Sequence, residues 1–125
     1  MSPKDARVFI VATCGPATPE RCAAPFFFAK QAADQGARVS ICFILQSALL
    51  LKQGVANSVY AKEGGRPVSD FIQAALQAGV VFNVCDAALK MNDMSPGDLI
   101  DEVDSLVGPS FLITGGLEAN LVLNF

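Results

Sequence analysis

The sequence predicts a single-domain α/β protein: a three-layer fold with a mostly parallel sheet and helices on both of its faces. Three observations carry that expectation. β-branched apolar runs recur at 7–13, 37–45 and 80–84, the composition of strands buried on both sides. Segments of helical character separate them, long enough for the crossovers that parallel strands require. The 125 residues suit one compact domain over 1–125 and leave little room for a second.

Each element follows from local chemistry. RVFIVAT at 7–13 is the first strand, ended by the turn signal Gly15-Pro16. Thr18 is a candidate N-cap, with Pro19 at the first helical position and Glu20 in the first turn. The helix runs to about Gln35 and stops at Gly36, and Pro25 either kinks it or delays its start. ARVSICFIL at 37–45 is the second strand. The stretch QSALLLKQGVANSVYAKEGGRP begins as a short helical turn and continues as a looser, Gly- and Asn-containing segment, the expected mobile loop. Pro67 opens a helix whose Val68, Phe71, Ile72 and Ala75 keep one apolar face, and Gly79 closes it. The third strand occupies about 80–84, and residues 103–107 suit a short fourth. FLIT at 111–114 has strand composition, yet a helix from Pro109 feeding a final strand LVLNF fits the same residues. Both readings stay open on composition alone.

Composition removes several function classes. A hydrophobic fraction of 52% with 17% charged residues excludes disorder. It also exceeds what one small core hides, so part of the apolar surface is expected between subunits. Phe26, Phe27 and Phe28 sharpen this, because a helix cannot aim three consecutive rings at one core. A net charge of −3 without clustered Lys or Arg argues against nucleic-acid and anionic-lipid partners. MSPKDAR lacks the apolar stretch of a signal peptide, and the apolar run at 41–51 is far shorter than the ~20 residues of a bilayer span. A cytoplasmic location, where thiols stay reduced, is therefore expected.

No histidine occurs, which removes Ser-His-Asp and Cys-His catalysis and most zinc-enzyme ligand sets. The four cysteines form no CxxC pair, so no metal site is expected. No GxGxxG occurs, and Gly64-Gly65 and Gly115-Gly116 read as turns, so no cofactor is expected. The remaining chemistry lies with thiols. Cys42, inside a strand, and Cys22, on the first helix, suit packing. Cys14 starts a loop between Thr13 and Gly15, where a turn role competes with that of an auxiliary thiol. Cys85 stands where a strand ends and helical residues begin, so backbone N–H groups there would favour a thiolate. Asp86 opposes that effect and Lys90 offsets it. A flavodoxin-like order, with the first and third strands adjacent, would place Cys14 and Cys85 in one crevice at the carboxyl edge. A reversible disulfide between them is then a further expectation.

ATCGPATPERCAAPFFFAKQAADQGARVSICFILQSALLL, NVCDAALKMNDMSPGDLI and VDSLVGPSFLITGGLEANLVLNF together resemble the DsrE/DsrF/TusD-like proteins over nearly the whole chain. The resemblance implies a five-stranded parallel α/β fold, a helix at about 109–118, and assembly into trimers or hexamers, including related subunits. It implies a sulfur-relay or sulfurtransferase role carried by Cys85 alone, which would take sulfane sulfur as a persulfide from a donor protein and pass it to an acceptor. Asp86 departs from the glycine that many relatives have there. The alternative is a non-catalytic oligomeric protein of the same fold, structural or binding a small ligand, in which Cys85 is merely packed.

Overall fold

Alternation of β-branched runs with amphipathic segments produces five strands and four α-helices in the computed structural model, which describes residues 2–125. The strands are β1 (Arg7–Ala12), β2 (Arg38–Phe43), β3 (Val81–Cys85), β4 (Ser105–Val107) and β5 (Leu121–Asn124). The helices are α1 (Ala24–Asp34), α2 (Val68–Gln77), α3 (Asp86–Met91) and α4 (Pro109–Glu118). Every strand pairing is parallel, in the order β4-β3-β2-β1-β5. The C-terminal segment that composition left ambiguous is helix followed by strand.

The side chains of one sheet face build the main core. Val8, Ile10 and Ala12 of β1, Val39, Ile41 and Phe43 of β2, and Phe82 and Val84 of β3 alternate onto it. Phe26 and Ala29 of α1 and Val68, Ile72 and Ala75 of α2 close over them. The opposite face carries a smaller cluster, Phe9, Val11 and Cys42, covered by Phe111 and Leu112 of α4. Helices thus lie on both faces, unequally. None of β4, α4 and β5 contains a fully buried residue.

The order is not flavodoxin-like, because β2 lies between β1 and β3. The reason is the side each helix takes. Crossovers between parallel strands are right-handed as a rule. Since α1 and α2 share one face, successive crossovers step the same way, from β1 to β2 to β3. Only after β4 does α4, on the other face, carry the chain back past β1 to β5.

Proline decides where the first helix starts. Thr18 makes no side-chain cap, and Pro19–Arg21 form a 3-10 turn instead. α1 begins at Ala24 with Pro25 in its first turn, where no N–H is missed. Phe26 is buried, while Phe27 and Phe28 face outward. The connection after β2 is anchored rather than loose. Its 3-10 segments Leu45–Leu51 and Ala56–Ser58 sink Ala48, Leu50, Leu51 and Ala56 into the main core. Bridges Lys52–Leu99 and Tyr60–Pro67 tie it down further.

Gly15 is the tightest backbone approach at the carboxyl edge. A Cβ there would sit 2.4 Å from the Gln46 carbonyl oxygen and 2.9 Å from its carbon. Backbone atoms cannot swing aside as a side-chain tip can. Gly15→Ala is expected to lower stability by about 1–3 kcal/mol in denaturant unfolding, whereas Gly97→Ala, with open space around it, should stay within about 0.5 kcal/mol of the parent. Equal effects at the two positions would contradict the packing described.

Candidate functional site

Cys85 closes β3 and is the N-cap residue of α3, with extended backbone (φ −69°, ψ 127°). It pairs in register with Val107 at the end of β4. The segments leaving these neighbouring strands part company. α3 packs Ala88 and Leu89 into the main core on one face, and α4 lies on the other. Divergence of that kind opens a crevice beyond the carboxyl ends of adjacent strands. Cys85 stands at this divergence, only 9% exposed. Asp86 and Ala87 at the lip are exposed. Among the described residues Lys90 forms no ion pair with Asp86.

The other lip is the turn after β2. Phe43 registers with Val84, so Ile44 continues alongside Cys85. Leu45 then adopts φ 54°, a left-handed conformation rare for a bulky residue, while its side chain remains 46% exposed. Its carbonyl accepts a hydrogen bond from Asn92 Nδ2 at 2.9 Å, and the same nitrogen donates to the Ala88 carbonyl at 2.7 Å. Asn92 therefore ties the β2 turn to the helix that Cys85 starts. Ser47 Oγ lies 2.7 Å from both the Ala12 and the Ile44 carbonyl oxygens, extending the link to β1.

The four thiols meet different surroundings, and all are free. Burial pushes the Cys42 thiol up to about 11, with nearby Cys85 adding to the rise. Burial likewise pushes Cys22 up to about 11, helped by Cys14 and Glu20. Both fit the packing role expected of them. Cys14 is partly exposed. Desolvation acts on it most strongly and upward, yet hydrogen bonds from Thr13 and Thr18, with the charge and hydrogen bond of Arg21, together leave it below the usual thiol value.

Cys14 and Cys85 do not share a crevice. With β2 between their strands, two strand spacings separate them, about 10 Å, beyond the ~7 Å Cα separation a disulfide spans. Sequence reasoning missed Leu45 and Asn92 at the Cys85 lip and Thr18 and Arg21 at Cys14. Nothing in a single sequence flags a left-handed leucine. The TCGPATPERC spacing did hold a signal, once Pro19 is read, like Gly15-Pro16, as a tight turn rather than as the start of the first helix.

A groove of about 670 Å³ lies elsewhere, at the amino-terminal end of the α4 face, lined by Arg7, Phe9, Arg38, Asn83 and Phe111 among others. Cys85 is not part of it. Its position reflects how little of that face α4 covers.

A model of the DsrE/DsrF-like family matches residues 6–125. Among solved structures, the YchN protein from E. coli is similar over 96% of this chain and 99% of its own, with a TM-score of 0.78 and 18% identity. MTH1491 from Methanobacterium thermoautotrophicum, a protein of unknown function, is similar over 97% of this chain and 100% of its own, with a TM-score of 0.68 and 17% identity. At those identities the likeness shows the fold. No curated protein matches the sequence.

The left-handed backbone at residue 45 costs a branched residue about 1–2 kcal/mol. Leu45→Gly is expected to leave stability unchanged or raise it by up to about 1 kcal/mol in denaturant unfolding, despite the lost side chain. A loss above about 1.5 kcal/mol would mean that Leu45 contributes packing its exposure does not reveal.

Proposed function

The chain belongs to the DsrE/DsrF-like family, which is associated with sulfur relay, and from that premise we propose that it carries sulfane sulfur as a persulfide on Cys85 and hands it to a partner thiol. The observation that carries the reading is the position of Cys85 at the end of β3, where the chain leaves β3 and β4 toward opposite faces. In the first step the Cys85 thiolate attacks the outer sulfur of a donor persulfide. A new S–S bond forms, and the donor sulfur departs as a thiolate. In the second, an acceptor thiolate attacks the outer sulfur of the Cys85 persulfide and Cys85 leaves as thiolate. No electrons are gained or lost overall, and neither step needs a metal or a strong general base. A chain without histidine can run it. Because Cys85 is 9% exposed, partner entry requires the segments around it, the Leu45 turn and the start of α3, to part. Such a sulfurtransferase would work in the cytoplasm, with protein donors and acceptors.

The same burial supports a second reading, a structural or small-ligand-binding oligomer in which Cys85 is packed. Either reading includes assembly of this chain into a trimer or hexamer. Support comes from the C-terminal third, which leaves Ile113 62% and Leu117 83% exposed on α4, with Leu106, Leu121 and Val122 on the sheet edges also open to solvent. Exposed apolar residues on α4 and on both outer strands are surface that further copies of the chain would cover.

Incubation with polysulfide followed by intact-protein mass measurement should add sulfur to the wild type and none to Cys85→Ser. Equal loading of both proteins, or no loading of the wild type, would remove Cys85 as carrier. Sedimentation should show an oligomer, and Leu117→Asp should shift it toward monomer by placing a charge in the apolar interface. A monomeric wild type at micromolar concentration would overturn the assembly proposal.

A further inference from the structure

We propose that Cys14 and Cys22 form a second thiol site, independent of Cys85, in which Cys14 attacks low-molecular-weight disulfides and Cys22 resolves the product into an intrachain Cys14–Cys22 bond. The two residues are eight apart in sequence, and tight turns bring them together. Thr18 N–H donates to the Gly15 carbonyl, Arg21 N–H to Thr18 and Cys22 N–H to Pro19. The folded-back segment puts Cys22 Sγ beneath the Cys14 loop, 3.1 Å from the Gly15 carbonyl oxygen, 3.5 Å from that of Thr18 and 3.9 Å from that of Cys14 itself.

The pair divides the labour that thiol–disulfide exchange requires. Cys14 is the accessible member, at the carboxyl edge of β1, with its Sγ 3.7 Å from Thr13 Oγ1 and Arg21 close by. Those neighbours favour its thiolate, the attacking form. Cys22 is fully buried, and its proton is spent on loop carbonyls. It stays protonated until Cys14 has reacted and the loop loosens. Thr13 meanwhile keeps the strand end in place, its N–H donating to the Phe125 carbonyl at 2.8 Å. Its Oγ1 lies 2.8 Å from the same oxygen, so its one hydroxyl proton serves that carbonyl until a Cys14 thiolate draws it over.

The chemistry balances. The Cys14 thiolate attacks one sulfur of R–S–S–R, forming Cys14–S–S–R and releasing RS⁻. Cys22 gives its proton to solvent, and its thiolate attacks Cys14 Sγ. The Cys14–Cys22 bond forms and a second RS⁻ leaves. Two cysteine thiols are oxidised, and one small disulfide is reduced to two thiols.

Glutathione disulfide is the probe, and trypsin makes the outcome legible. Cleavage after Arg7, Arg21 and Lys30 places Cys14 on peptide 8–21 and Cys22 on peptide 22–30, so the proposed bond joins two separate peptides. Treated native protein should lose two hydrogens in mass and yield that cross-linked pair, in the wild type and in Cys85→Ser alike. Cys14→Ser, altered only at the partly exposed loop, should yield neither. Closure should quicken about tenfold from pH 7 to pH 8, following the Cys22 thiolate. A stable glutathione adduct on Cys14 without closure, a cross-link between other cysteines, loss of the bond in Cys85→Ser, or a flat pH profile would each overturn the proposal.

Discussion

Three buried phenylalanine rings hold the fold's geometry. Phe26 of α1, Phe43 of β2 and Phe82 of β3 are all fully buried, with centroids 5.8, 5.8 and 5.2 Å apart. Each contact of this kind adds about 0.5–1.5 kcal/mol beyond area burial. The effect on position matters more than the energy. Phe43 pairs with Val84, one residue before Cys85. The ring cluster therefore sets where β2 and β3 end relative to each other, and with them the position of Cys85. Phe27 and Phe28 lie outside it, Phe28 stacked at 5.6 Å on Phe125 of the closing segment.

What could be read from the residues was whatever depends on local periodicity. Strand composition located β1, β2 and β3 to within two residues at either end, and the apolar spacing of Val68, Ile72 and Ala75 located α2. Strand order was not legible, because it depends on which face each crossover helix takes. A helix's own apolar stripe is the same on either side. The connection after β2 looked loose because its apolar residues follow neither the strand nor the α-helix period. They are set by 3-10 turns, whose period of three goes unnoticed in so short a run. Cys85 was legible as a strand-end thiol. Its lips were not, since Leu45 and Asn92 act through backbone geometry and a contact spanning 47 residues.

The four thiols show how one functional group is differentiated by its neighbours alone. Cys42 is buried on the α4 face with Phe9 and Val11, registers with Asn83, and behaves as a small hydrophobe. Cys22 is equally buried but donates to carbonyl oxygens, so it is structural while reduced. Cys14 has hydroxyls and a guanidinium at hand. Cys85 stands at a strand end with little exposure. Two regions of the carboxyl edge thus hold thiols of distinct character, separated by β2 and joined through the Gly15–Gln46 contact and the Ser47 and Asn92 hydrogen bonds.

The pairing of the last strand with a central one has a kinetic side. β5 joins β1 across more than a hundred residues, with Asn120 Oδ1 accepting from Arg7 N–H at a separation of 113. Such long-range parallel pairing slows folding, since the loop must close before the contacts form. During synthesis β1 emerges first and must wait for its partner. It then presents an open edge of RVFIVA, apolar and β-branched, the kind of edge that seeds strand addition between chains. Until β5 docks, the sheet has this margin uncovered. β5 thus acts in folding as the seal on that margin.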